Sequence, residues 1–104
     1  MSKIDRKFDP SRYVPHGGQP VKTFTDGPDN NRIKNAEPGD LLSFGLETGQ
    51  YETFILLSKE KAGHEGAMRW RLWLGEEGNP SYTISALYAA PPRCGIATLF
   101  KRRG

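Results

Sequence analysis

Short apolar segments separated by turn residues constrain the fold of this chain more than any other feature. Residues 68–74 alternate strictly between two kinds of side chain. Four large apolar side chains share one face: Met68, Trp70, Leu72 and Leu74. The opposite face carries Arg69, Arg71 and Trp73. A period of two predicts a β-strand with one face in a core.

Four further segments have the length and composition of strands: 41–46, 51–58, 81–85 and 95–101. Residues 47–50 include Gly49 and predict a tight hairpin between the first two. Residues 54–57 are apolar on both faces, which is typical of a central strand. Good helix formers follow Ser85, so a helical turn competes with the strand there. We therefore predict a mostly β fold, a five-stranded meander curled into a small, partly open barrel.

The first third of the chain is interrupted too often for long regular structure. Five prolines fall within 39 residues: Pro10, Pro15, Pro20, Pro28 and Pro38. We predict an extended or disordered N-terminal arm over residues 1–36, followed by a barrel domain over 37–104 that ends in a basic tail. Phe8, Tyr13 and Phe24 are spaced like anchors for a partner surface. Residues 21–25 could add a strand to a sheet edge before the turn at 26–29.

Charge and cysteine content limit the classes of protein. The net charge is +3, and it divides into +3 over residues 1–36, −3 over 37–100 and +3 over the tail. Cys94 is the only cysteine, so no intramolecular disulfide is expected. We see no signal peptide and no apolar run long enough to span a membrane. These observations favour a cytoplasmic protein without a membrane partner.

No pattern in the chain indicates catalysis. His16 lies in the arm and His64 in a glycine-flanked loop, so no rigid element would hold either as a general base. A zinc site would need Cys94 and both histidines at spacings unlike those of known zinc sites. The glycines lack the lysine and hydroxyl residue that a phosphate-binding loop requires. We therefore expect a protein that is not an enzyme and needs no cofactor.

The best candidate binding residues lie in one strand and in the tail. Arg69 and Arg71 can meet phosphates while Trp73 stacks on a base, as in small barrels that bind single strands. Lys101, Arg102 and Arg103 would add phosphate contacts together with the basic arm. Alternatively, Trp73 packs under the arm and the arginines pair across strands with Glu52 or Glu76.

Three functions remain compatible with these features, and no motif of a known family can be matched residue by residue. The first is a non-enzymatic binding protein that inhibits or modulates a larger machine through protein contacts, or serves as its accessory subunit. Its small size would also suit a phage product. The second is a barrel that binds single-stranded nucleic acid. The third is a structural or virion-decorating protein whose arm mediates assembly, so that removal of residues 1–36 would leave a folded body.

Overall fold

The computed structural model describes residues 8–15, 22–61, 69–76, 79–89 and 95–103. One turn of 3-10 helix spans Pro10–Arg12, and one short α-helix, α1, spans Asn30–Asn35. Seven strands are present in this part of the chain: β1 Tyr13–Pro15, β2 Lys22–Asp26, β3 Leu41–Leu46, β4 Tyr51–Lys61, β5 Arg69–Glu76, β6 Asn79–Ala89 and β7 Gly95–Arg102. Among the helices in these ranges, none has the length and apolarity needed to cross a membrane.

Six of the strands form a closed antiparallel barrel, and the seventh lies outside it. Strands β2 to β7 pair in chain order, and β7 pairs back with β2 to close the barrel. β1 pairs with the other half of β7, beyond the end of β2. The mostly β barrel is confirmed, but five strands and a partly open barrel were wrong. The sixth strand comes from residues assigned to the arm, and it closes the gap that five strands would leave.

The five strands predicted between residues 41 and 101 are all present. The hairpin between β3 and β4 is also confirmed, and Gly49 has the positive φ of 92° that the turn requires. The helical turn that the sequence allowed after Ser85 does not form, because β6 continues as strand to Ala89. Ala86 pairs with β5 on one side and with β7 on the other. Hydrogen bonding along both edges of β6 stabilises the strand by more than the helix propensity of its last residues disfavours it.

Aromatic side chains form the centre of the barrel core. Phe24, Phe44 and Phe54 are each at most 1% exposed. The rings of Phe24 and Phe44 stack at 4.5 Å between centroids, and Phe54 lies 6.0 Å from both. Aromatic pairs at these separations are favourable beyond the area that they bury. Phe24 therefore serves the core of the barrel, although its spacing in the sequence suggested a surface anchor.

Helix α1 covers the end of the barrel where β4 ends. The Asp29 side chain accepts a hydrogen bond from the backbone N–H of Arg32 at 2.7 Å and so caps the first turn. Ile33 is fully buried in the barrel core. Lys59 from β4 donates to the backbone carbonyls of Ile33 and Lys34 near the last turn. A cation at this position favours the helix because the last carbonyls lack partners within it.

Polar contacts cover the opposite end of the barrel, beside the β3–β4 hairpin. Lys22 Nζ forms an ion pair with Glu52 at 2.7 Å and lies 5.6 Å from the centre of the Phe54 ring. Both side chains of the pair are about one-third exposed, so this contact contributes little to stability. Its effect is to cover the aromatic core with the stem of Lys22.

Candidate functional site

Most of the predicted binding residues lie on the outer side of the barrel wall formed by β5, β6, β7 and β1. Trp70, Leu72 and Leu74 of β5 are buried in the core. The alternation of a strand then places Arg71 and Trp73 on the outer face. Arg69 begins β5, but its side chain lies outside the described part of the chain.

Four aromatic rings from three separate parts of the chain form a row on this outer face. Phe8 lies 5.5 Å from Tyr13 and 5.4 Å from Trp73, measured between ring centroids. Trp73 in turn lies 5.3 Å from Phe100 in an edge-on arrangement. All four rings are half-buried. We call them the aromatic row, and they attach the segment before β1 to the barrel wall.

The 3-10 turn before β1 positions both Phe8 and Arg12. The Asp9 carboxylate accepts hydrogen bonds from the Ser11 hydroxyl at 2.7 Å and from the Ser11 backbone N–H at 3.0 Å. These bonds lower the pKa of Asp9, the hydroxyl having the larger effect. Pro10 at the first position of the turn has a φ suited to it. The local sequence Asp-Pro-Ser therefore accounts for the formation of this turn.

Arg12 and the basic tail meet beside the aromatic row. Tyr13 pairs with Arg102 across β1 and β7. The backbone N–H of Arg103 donates to the Arg12 carbonyl at 2.8 Å, and Arg103 Nε donates to the Ser11 carbonyl at 2.9 Å. Four exposed cationic residues therefore belong to two adjacent, paired backbone segments, and we call them the basic patch: Arg12, Lys101, Arg102 and Arg103.

Arg71 and Trp73 have packing roles within this face. Arg71 Nη1 lies 3.1 Å from the Ser85 hydroxyl on β6, and the carboxylate of Glu52 pairs with Lys22 instead. Phe8 packs on Trp73, so the arrangement in which the arm covers this tryptophan is present in the structure. Ring area remains accessible because Trp73 is only half-buried.

A second surface, which the sequence did not single out, lies on the outer side of β3 and β4. Register pairs Leu41 with Ile55, Ser43 with Thr53 and Gly45 with Tyr51, and we call these six residues the hairpin face. Leu41 is 52% exposed and Tyr51 is 63% exposed. They are the two exposed large hydrophobic residues of the described chain. The available signal was Leu41, which alternation places opposite the core residues of β3.

Hydrogen bonds order the hairpin face. The hydroxyls of Ser43 and Thr53 are 2.8 Å apart. The Tyr51 hydroxyl donates to the carboxylate of Asp26 at the end of β2. This bond raises the pKa of Tyr51, and the negative charge of Asp26 adds to the effect. The ring of Tyr51 is thereby held across Gly45, where an added Cβ would lie 3.1 Å from it.

The residues considered for catalysis or metal binding cannot be placed in the fold. His16, His64 and Cys94 lie outside the described ranges. Within those ranges, no three histidine, cysteine or carboxylate side chains are grouped so as to hold a metal ion.

The fold is a small closed β-barrel whose outer wall carries two candidate surfaces. Comparison with protein-family models, with curated proteins and with solved structures finds no match to this chain.

Proposed function

We propose that this protein is a non-enzymatic binding protein that docks onto another protein through the hairpin face, either modulating that protein or serving as its accessory subunit. The observation that carries the proposal is the exposure of Leu41 and Tyr51 on one continuous sheet face. Large apolar side chains scattered singly on a surface need no explanation, but a contiguous apolar patch marks an interaction site, and Ile55 beside Leu41 extends the apolar surface at one end of this face.

The composition of the hairpin face supports a protein partner. Its six residues carry no charge, although 26% of the chain is charged. The centres of protein interfaces are depleted in charged residues and enriched in aromatic ones such as Tyr51. The face extends about 14 Å along the strands, at about 3.4 Å per residue. An apolar core of this kind is surrounded by a polar rim in typical protein interfaces.

Order within the hairpin face also favours binding. The bond between Tyr51 and Asp26 and the pair formed by Ser43 and Thr53 restrain these side chains before any partner arrives. Pre-ordered side chains lose less entropy on association. A partner with a complementary apolar surface would gain contact with Leu41 and Ile55 without reorganising the barrel.

The test compares what variants of the purified protein retain from a lysate of the native host. Leu41→Glu adds a charge to the hairpin face at an exposed position, so the barrel is expected to fold. Thr98→Glu is the matched control, because it adds the same charge at an exposed strand position on the wall that bears the aromatic row. We expect a protein that the wild type and Thr98→Glu retain and that Leu41→Glu loses.

The opposite pattern would contradict the proposal. Equal retention by Leu41→Glu would show that the hairpin face is not the docking surface, and loss by Thr98→Glu alone would place docking on the other wall. Sedimentation of the wild type and Leu41→Glu tests whether the occupant is a second copy of the chain. A dimer that Leu41→Glu converts to a monomer would show that the hairpin face binds a second copy of the chain instead of a different protein.

A further inference from the structure

We infer that the basic patch and the aromatic row together form a binding site for single-stranded nucleic acid, on a wall of the barrel separate from the hairpin face. The patch is made from both ends of the described chain. Backbone pairing of β1 with β7 brings Arg12 next to Arg103 and Tyr13 next to Arg102. This site is a product of the fold, since its two halves are about ninety residues apart in sequence.

The cations of the basic patch are available to a ligand. All four side chains are exposed, and none of them forms an ion pair with a carboxylate of the described residues. Three of the four are arginines, whose planar guanidinium matches the geometry of phosphate oxygens. The Asp9 carboxylate lies near Arg12 and offsets part of the charge, but it is bonded to Ser11. The excess of positive charge remains.

The aromatic row decides which polyanion the site would take. An acidic peptide requires only the cations, and a duplex keeps the faces of its bases stacked inside. A single strand uses both features, because its phosphates bind cations while its exposed bases stack on rings. Tyr13 is opposite Arg102 on the outer face, and ring contacts through Phe8 continue from Tyr13 to Trp73. Half-buried rings keep some area for stacking while the barrel holds them in place.

The number of cations sets the expected dependence of binding on salt. For single strands, the logarithm of the association constant falls with the logarithm of salt concentration by about 0.7 per phosphate contact. Four contacts then predict about fiftyfold weaker binding when salt rises from about 50 mM to about 200 mM. Removal of two contacts reduces this loss to about sevenfold.

The test measures fluorescence anisotropy of labelled single-stranded DNA and RNA of about 20 nucleotides, which exceeds the length that one small barrel covers. The variant Arg12→Gln/Arg102→Gln removes two cations of the patch. Lys34→Gln/Lys61→Gln is the matched control, because both lysines are exposed at the end of the barrel that α1 covers. We expect about a sevenfold loss between the two salt concentrations for the patch variant and about fiftyfold for the wild type and the control.

A second variant tests the aromatic row without removing its packing. Tyr13→Leu keeps an apolar side chain in β1 but removes the ring, and we expect at least about fivefold weaker binding. Thermal melts of each variant establish that it is folded.

Three outcomes would overturn the inference. The first is no anisotropy change at tens of micromolar protein in low salt. The second is equal salt dependence in the wild type and the patch variant. The third is displacement of the oligonucleotide by polyglutamate at equal phosphate and carboxylate concentration, together with unchanged binding by Tyr13→Leu. That result would assign the patch to acidic protein segments.

Discussion

The substitution Phe24→Ala distinguishes between two structures, a closed six-stranded barrel and a five-stranded barrel with a detached arm. Phe24 is fully buried and contacts both other phenylalanines of the core. Truncation of a buried phenylalanine costs about 3–5 kcal/mol, from lost transfer free energy and the cavity left behind. A domain of this size loses about 4 °C of melting temperature per kcal/mol, so we expect a decrease of about 12 °C or more.

The assays are thermal melting, which gives the melting temperature, and urea unfolding followed by tryptophan fluorescence, which gives the free energy of unfolding. Phe8→Ala is the matched control. Phe8 undergoes the same truncation in the same third of the chain, but it is only half-buried on the outer wall. We expect its free energy of unfolding to fall by about 1 kcal/mol. Small domains have only about 5–15 kcal/mol of stability, so Phe24→Leu provides a milder variant if Phe24→Ala does not fold. Equal, small losses for Phe24→Ala and Phe8→Ala would refute the closed barrel.

Three other substitutions test local features of the fold. Lys59→Met removes the hydrogen bonds to the end of α1. Because burial lowers the pKa of Lys59, the stability of the wild type relative to this variant should rise as the pH approaches 10.5 from below. A difference in urea unfolding that does not change with pH would contradict this. Tyr51→Phe removes the bond to Asp26, which raises the pKa of Tyr51. The contribution of this bond to stability should be present below pH 10.0 and disappear as the pH rises through the raised value. In absorbance titration at alkaline pH, the variant should lack one tyrosine that titrates above pH 10.0 in the wild type. Gly49→Ala places a side chain at a φ of 92° and should cost about 1–2 kcal/mol, measured by thermal melting, although nothing lies within 4 Å of the new Cβ.

The strands from β3 to β7 were predictable because their signals are local. Each has the alternating or continuous apolar pattern of a strand, and each is joined to the next by turn residues. The hairpin at Gly49 and the inward direction of Trp70 followed from the same two rules, turn chemistry and a period of two.

β2 was predictable only as a possible edge strand. It has five residues, and one partner, β7, begins about seventy residues later in the chain. Nothing near Lys22–Asp26 shows that this partner exists, so closure depends on tertiary pairing that the local sequence does not display. α1 is similar, because a six-residue segment rich in asparagine has weak helix propensity. The burial of Ile33 and the cap from Asp29 stabilise it in the folded protein.

The candidate surfaces, too, were predictable from the sequence only in part. Arg71, Trp73 and the tail were recognisable by residue type, since guanidinium and indole groups in a strand indicate a binding face. The position of the tail beside Arg12 and Tyr13 was not recognisable, because it requires β1 to pair with β7. The burial of residues from β2 and α1 also changes the deletion experiment that the arm suggested. Removing residues 1–36 would remove Phe24 and Ile33 from the core, so an unfolded product would say nothing about assembly.

The most direct test of this account is an NMR measurement of contacts between β7 and the N-terminal strands, because both the closed barrel and the basic patch depend on them. We expect backbone nuclear Overhauser effects between Thr23 and Ile96 and between Val14 and Lys101, with slow hydrogen exchange at the paired amides of β2. The absence of both contacts, with β2 amides exchanging at the rate of an unfolded chain, would contradict it.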